Sequence, residues 1–416
     1  MASVLEATTY FERVLDMPLD AVEFCPVDGF FDLFVVGQYF LNAESQEAQG
    51  GLVLYRHHFA ATKDHATSAA SGDDVKLDAK QDVSDVVSVD EITRVGGDAV
   101  FDVKWARTLH QNQPWLATVT RTGALCCYRL KDPDDVHPVC LELSSTLQIS
   151  ARNKAALFLD FRRSDANRLV CSLADGSVSV CDCTDADGWQ VQQSWSAHDY
   201  EAWTAAFQTG SRDVIYTGAD DALLKGWDLR APLRKPTFVN KSHDAGVCCV
   251  ACSPHEEQVF ATGSYDEKLR IWDARQTSGP TEEVELGSGV WRVKFHPQPA
   301  RRNDLLTGCM RNGFHVLTRE SIRSTITGNL DGLNLSDTAT LASDPDTVLA
   351  AAVKTDASSA KSSSGSELRK TCSYMKHTDL AYGCDWSHDP CAPRVIGSCS
   401  FYDKTLRVWE EPEPTA

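Results

Sequence analysis

No stretch of about 18 consecutive apolar residues occurs in the 416-residue chain, so no helical membrane span is expected. The opening residues, MASVLEATTYFERVLD, lack both the basic start and the apolar centre of a secretory leader. Basic residues are scarce, with 40 Lys and Arg against 59 Asp and Glu for a formal charge of −19. That deficit argues against a nucleic-acid groove or an anionic membrane surface, since both need clustered cations. A basic or cationic partner fits better. Catalytic signatures are missing too: there is no H-x-x-x-H pair, no glycine-rich phosphate loop and no G-x-S-x-G nucleophile elbow. A cytoplasmic location is expected, and in that reducing compartment the 15 cysteines are expected as thiols. No metal and no cofactor is required.

What the chain does have is a 42% apolar content, enough for a sizeable core, arranged in repeats. The plainest copies are SAHDYEAWTAAF…VIYTGADDALLKGWDLR (196–230) and KSHDAGVCCVACSP…VFATGSYDEKLRIWDAR (241–275). Each carries a His, an Asp 23 residues later, and Trp-Asp beginning six residues beyond that Asp. This is the WD repeat, whose four short antiparallel strands make one propeller blade. A third copy, KHTDLAYGCDWSH…IGSCSFYDKTLRVWE, spans 376–410 with His377, Asp403 and Trp409 in the same roles.

Weaker copies fill 19–56, 99–130, 155–182 and 288–317, each a period-2 apolar pattern bounded by Gly, Asp or Asn turns. Together they predict an all-β protein, one seven-bladed WD40 propeller over 1–416. Residues about 4–14, TTYFERVL in particular, can supply an outer strand to the last blade and remove an open edge. Two insertions, 60–90 and 321–373, are rich in small polar residues and are expected as mobile loops.

In a full blade the His, a strand Ser or Thr, the turn Asp and the Trp form a buried hydrogen-bonded chain, here His198/Thr217/Asp221/Trp227 and His243/Thr262/Asp266/Trp272. The grouping imitates a hydrolase triad, but its recurrence at one spacing in several blades marks it as structural. In the last blade either Ser398 or Cys399 completes it. Cys249 and Cys252 spell C-x-x-C on a strand, where an offset of three points side chains to opposite faces and argues against zinc.

Blades align on the residue nine after the His: Phe24, Trp105, Phe161, Phe207, Cys252, Phe295 and Trp386. Four before that anchor, where the innermost strand opens on the narrow face, stand Asp20, Phe101, Leu157, Trp203, Cys248, Trp291 and Tyr382. Residues just before the turn Asp add Asp220, Tyr265 and Tyr402, and Glu201 is the one charge six before the anchor. The mouth is thus expected to carry Phe101, Trp203, Tyr265, Trp291, Tyr382 and Tyr402 around three carboxylates, Asp20, Glu201 and Asp220. Aromatic faces attract a quaternary ammonium by about 0.5–1 kcal/mol each when exposed and about 2 when desolvated. The same rings could instead grip a protein, because exposed aromatic rims also mark ordinary interfaces.

The segments SWSAHDYEAWTAAF (194–207), YTGADDALLKGWDLR (216–230), GVCCVACSPH (246–255), ATGSYDEKLRIWDAR (261–275), GSGVWRVKFHP (287–297) and GSCSFYDKTLRVWE (397–410) resemble the WD-repeat diphthine methyl ester hydrolases of diphthamide biosynthesis, the diphthine methyltransferase family in older naming. The resemblance covers mainly blades four to seven. It implies hydrolysis of the methyl ester of methylated diphthine on translation elongation factor 2, by a monomer whose substrate carries a trimethylammonium group. Two catalytic routes fit the mouth: Cys248 as nucleophile, or a water activated by Glu201 or Asp220. The other function class is a non-catalytic scaffold that docks a protein on its narrow face.

Overall fold

Short apolar-alternating segments pair into seven four-stranded antiparallel sheets, the seven-bladed WD-repeat propeller expected from the repeats. The computed structural model describes residues 6–42, 44–45, 47–58, 88–131, 139–150, 154–184, 188–321 and 366–413. Among them the only helical turn is a 3-10 segment, Pro299–Arg301, so no helix is long and apolar enough to cross a membrane. The innermost strands are Leu19–Phe24, Val100–Trp105, Ala156–Phe161, Thr204–Phe207, Val247–Cys252, Arg292–Phe295 and Ala381–Trp386. Each contacts the next, and the last contacts the first.

Blades one to six are each four consecutive strands. Blade seven takes Ala381–Trp386, Val395–Ser400 and Thr405–Glu410 and completes itself with Thr8–Val14, which pairs Thr8 with Glu410 and Val14 with Thr405. The amino-terminal segment therefore closes the ring as its sequence predicts. Arg407 Nε donates to Glu12 at 3.0 Å, and Thr9 Oγ1 meets Tyr374 Oη at 2.8 Å, which ties the added strand to blade six as well. The insertion bounds need correction. Residues 88–90 and 366–373 are paired strand, within Ser88–Gly97 and Ser366–Tyr374, because they carry the outer edges of blades one and six. Residue 321 also ends a paired strand, Phe314–Ser321, and the rest of both insertions lies outside the described residues.

The core is a set of apolar layers between neighbouring blades, such as Phe24, Phe34, Tyr55, Leu406 and Val408 at the closing junction. Gly383 sits there because a Cβ would fall 2.8 Å from the Ala21 backbone and 2.7 Å from Cys399 Sγ. Polar side chains on the innermost strands also stitch one blade to the next. Asp102 Oδ2 accepts Leu159 N–H at 3.3 Å, Asp160 Oδ2 accepts Phe207 N–H at 3.0 Å, Thr204 Oγ1 accepts Val250 N–H at 3.1 Å and Asp385 Oδ2 accepts Phe24 N–H at 2.9 Å. A buried backbone N–H left unpaired costs about 1–3 kcal/mol, so these bonds fix the spacing of the blades.

All fifteen cysteines are free thiols. Cys249 packs between blades five and six and Cys252 between four and five, on opposite faces of their strand. The histidine chains are buried and structural. Thr217 Oγ1 bridges His198 at 2.8 Å and Trp227 at 2.9 Å, with Asp221 on the other side of His198 at 2.9 Å. Blade five departs from the expected chain. Thr262 bridges His243 and Trp272, but Asp266 turns to Arg270 at 2.8 Å, because the guanidinium is a stronger partner for a carboxylate than a buried imidazole. Burial pushes His243 down to about 4, which keeps the ring neutral.

In the last blade Ser398 completes the network, accepting Trp409 Nε1 at 3.0 Å and meeting His377 Nε2 at 2.8 Å, while Cys399 faces the apolar closing junction. Ser398→Ala would leave both buried partners unsatisfied. It is expected to lower the unfolding free energy by about 2 kcal/mol in chemical denaturation, and an unchanged midpoint would remove Ser398 from this role.

Candidate functional site

The mouth residues owe their position to a repeated irregularity. In five blades the ladder between the first two strands slips at the residue four before the anchor. The shifts fall between Leu19 and Ala21, Val100 and Asp102, Ala156 and Phe158, Val247 and Cys249, and Ala381 and Cys384. The residues inside the irregularities are therefore Asp20, Phe101, Leu157, Cys248 and, in blade seven, Tyr382 with Gly383. In blades four and six Trp203 and Trp291 immediately precede the first paired residue, Thr204 and Arg292. An extra residue in one strand turns its side chain out of the pleat, which is why bulges recur beside binding sites.

These positions bring the rings together. Trp203 meets Trp291 edge-on at 5.6 Å and Tyr265 at 6.4 Å, Tyr265 lies 6.1 Å from Trp291, and Trp291 stacks on Tyr382 at 4.9 Å. The belt continues through Phe401, 5.4 Å from Tyr382, and Tyr39, 5.8 Å from Phe401, to Phe101 at 4.8 Å. Phe401 and Tyr39 escape the positional count because neither occupies an aligned position. Tyr402 does, but it is 64% exposed and, among the described aromatic rings, pairs with Phe401 alone, so it stands on the outer rim.

The three carboxylates fall into different surroundings. Asp220 is exposed and accepts Trp203 Nε1 at 3.2 Å, and its backbone N–H donates to the Glu201 carbonyl at 3.0 Å. Gly246 makes room for it, since a Cβ there would lie 2.8 Å from Asp220 Oδ1 and 3.1 Å from the Tyr265 ring. Glu201 is half-buried beside it. Asp20 is buried, and its Oδ1 has no hydrogen-bond partner among the described residues. Burial raises its carboxyl to about 7, against the pull of Arg292. Burial, then the Asp20 charge, also push the Tyr382 hydroxyl up.

Cys248 lies under the rings with its Sγ donating to the Gly246 carbonyl at 3.5 Å, and burial drives its thiol well above the usual value. Beneath the belt is a cavity of about 20 Å3, room for a single water, bounded by Phe101, Phe158, Trp203, Cys248, Trp291 and Arg292. Arg292, which follows Trp291 in the chain, forms its floor and pairs with Asp102 at 3.1 Å. Its place in the GVWR segment is the signal that could have found it.

Fold and mouth together define a WD-repeat propeller with an aromatic and acidic opening where its innermost strands begin. The WD domain, G-beta repeat family matches residues 234–273, from the outer strand of blade four through the third strand of blade five. The chain is 33% identical to the diphthine methyltransferase homolog of Dictyostelium discoideum over 74% of its length and 76% of that protein. It is 31% identical to the Mus musculus diphthine methyltransferase over 73% of the chain and 61% of that protein, and 26% identical to the Schizosaccharomyces pombe one over 95% of both. A chain of the crystal structure of a mitotic checkpoint complex superposes with a TM-score of 0.62 at 14% identity, over 99% of this chain and 94% of that one, a likeness of fold alone. The chain belongs to the diphthine methyltransferase family.

Asp20 is the carboxyl of this mouth that burial brings close to neutrality. A carboxyl that titrates near 7 is mostly protonated at about pH 6 and mostly charged at about pH 8, and only the charged form attracts an ammonium group. Tetramethylammonium binding, followed by calorimetry, is expected to strengthen up to about tenfold across that interval. Asp20→Asn should flatten the profile; an unchanged slope in that variant would assign the dependence elsewhere.

Proposed function

We propose that this protein hydrolyses the methyl ester of methylated diphthine on translation elongation factor 2, a step of diphthamide biosynthesis in the cytoplasm. Family membership supports a role in that pathway. The observation that carries the chemistry is the mutual contact of Trp203, Tyr265, Trp291 and Tyr382 at the mouth. A trimethylammonium group has no N–H to donate and is weakly hydrated, so ring faces and nearby carboxylates are the surroundings that select it. Holding that end fixes the ester beside Asp220 and Glu201 and converts an encounter with water into an oriented one.

The water oxygen bonds to the ester carbonyl carbon as a carboxylate takes one of its protons. The bond from that carbon to the methoxy oxygen then breaks and methoxide leaves as methanol with a proton, the other proton going to solvent as the product carboxylate ionises. Arg292, the cation on the floor of the mouth, stabilises the developing oxyanion. Cys248 is less suited to attack, because its burial keeps the thiolate scarce.

The test is incubation with methylated elongation factor 2, following methanol release and loss of one CH2 mass. Asp220→Asn or Glu201→Gln should lower kcat about 100-fold if that carboxylate is the base, whereas Cys248→Ala should retain the rate. Trp203→Ala and Trp291→Ala should raise KM about 5- to 30-fold. Stable binding without methanol release would instead favour the scaffold reading, and equal affinity for a substrate lacking the quaternary ammonium would remove the cage.

A further inference from the structure

The opposite end of the channel has a contrasting chemistry. Two residues beyond the anchor, where the innermost strands end, stand Arg107, Arg163 and His388. Four strand steps from Phe101 to Trp105 span about 13 Å at 3.3 Å per residue, and Arg107 lies two residues beyond the strand, so this end is remote from the aromatic mouth. A cavity of about 90 Å3 opens here. Five cations line it, Lys104, Arg107, Arg163, Arg292 and Lys294, against the three carboxylates Glu23, Asp160 and Asp385. In a chain of charge −19 that local reversal calls for a cause.

Three of the cations are already neutralised within the channel. Lys104 pairs with Glu23 at 2.7 Å and Asp102 at 2.8 Å, Lys294 with Glu23 and with Asp385 at 3.3 Å, and Arg292 with Asp102. Neither Arg107 nor Arg163 forms an ion pair among the described residues, although both feel the charge of the single Asp160 carboxylate. Among the described residues Arg163 makes one hydrogen bond, from Nη2 to the Cys252 carbonyl at 3.4 Å, and Asp160 spends Oδ2 on the Phe207 N–H. The two guanidiniums are close enough to disturb each other: burial, then the Arg107 charge, push Arg163 down to about 9. Burial and the same Arg107 charge hold His388 at about 3, so it faces the cavity as a neutral ring able to donate or accept one hydrogen bond.

We infer that this end of the channel binds a phosphate-type dianion between Arg107 and Arg163, with His388 as a neutral hydrogen-bonding partner. Two planar guanidinium forks match the oxygen edges of a tetrahedral oxyanion, and a dianion relieves the repulsion between two guanidiniums that share only the Asp160 carboxylate. A chloride offers neither the edges nor the charge.

Calorimetric titration of the whole protein with inorganic phosphate, at constant ionic strength set by chloride, tests the assignment. Binding is expected in the wild type, with at least a tenfold loss in Arg163→Gln and in Arg107→Gln, the latter at an exposed position where folding is unaffected. Tetramethylammonium binding at the other opening should be the same in all three proteins. Glycerol phosphate binding as tightly as inorganic phosphate would identify an ester-borne phosphate as the occupant, and its exclusion would identify the free ion. No binding of either phosphate, or equal affinity in Arg107→Gln, would overturn the site.

Discussion

The ring depends on one antiparallel ladder, that between Thr8–Val14 and Thr405–Glu410. Every other blade is built from consecutive strands and could form locally, but blade seven is incomplete until the two distant segments meet. Its outer edge would otherwise present unpaired N–H and C=O groups, and the junction with blade one, where Gly383 lets the Ala21 backbone approach, would be free to part. Both openings of the channel take residues from blades one and seven, so closure sets the geometry of each.

Within the closed ring, position rather than residue type decides what each side chain does. The innermost strands all run the same way through the ring, so a residue four before the anchor reaches one opening and a residue two after it reaches the other. Aromatic rings and acids collect at the first, guanidiniums at the second, and a buried web of Glu23, Asp102, Lys104, Arg292, Lys294 and Asp385 lies between. Arg292 borders both cavities and belongs to the web, so the two ends are joined by one ion-paired middle.

Much of this was legible in the chain because a propeller is a counting fold. The His-to-Asp and Asp-to-Trp intervals locate the blades, and a fixed offset from the anchor finds Trp203, Trp291 and Tyr382 without coordinates. Counting fails where geometry is local. Phe401 and Tyr39 join the belt from a turn and from the end of a long second strand, Leu33–Leu41, so no shared register announces them. Tyr402 occupies the counted position yet points outward. The burial of Cys248 and Asp20, which raises the pKa of both, comes from neighbouring blades that no single repeat describes. Asp266 was assigned to His243 by analogy with blade four, but Arg270 on the next strand takes it.

The bulges carry a further implication for how such a protein can change over generations. A side chain held inside a bulge has no cross-strand rung of its own, so exchanging it leaves the hydrogen-bonded frame of the blade intact. Recognition and fold stability are thereby assigned to separate residues of the same strand. A lineage can retune its preferred ligand one blade at a time, and the scaffold registers little of the experiment.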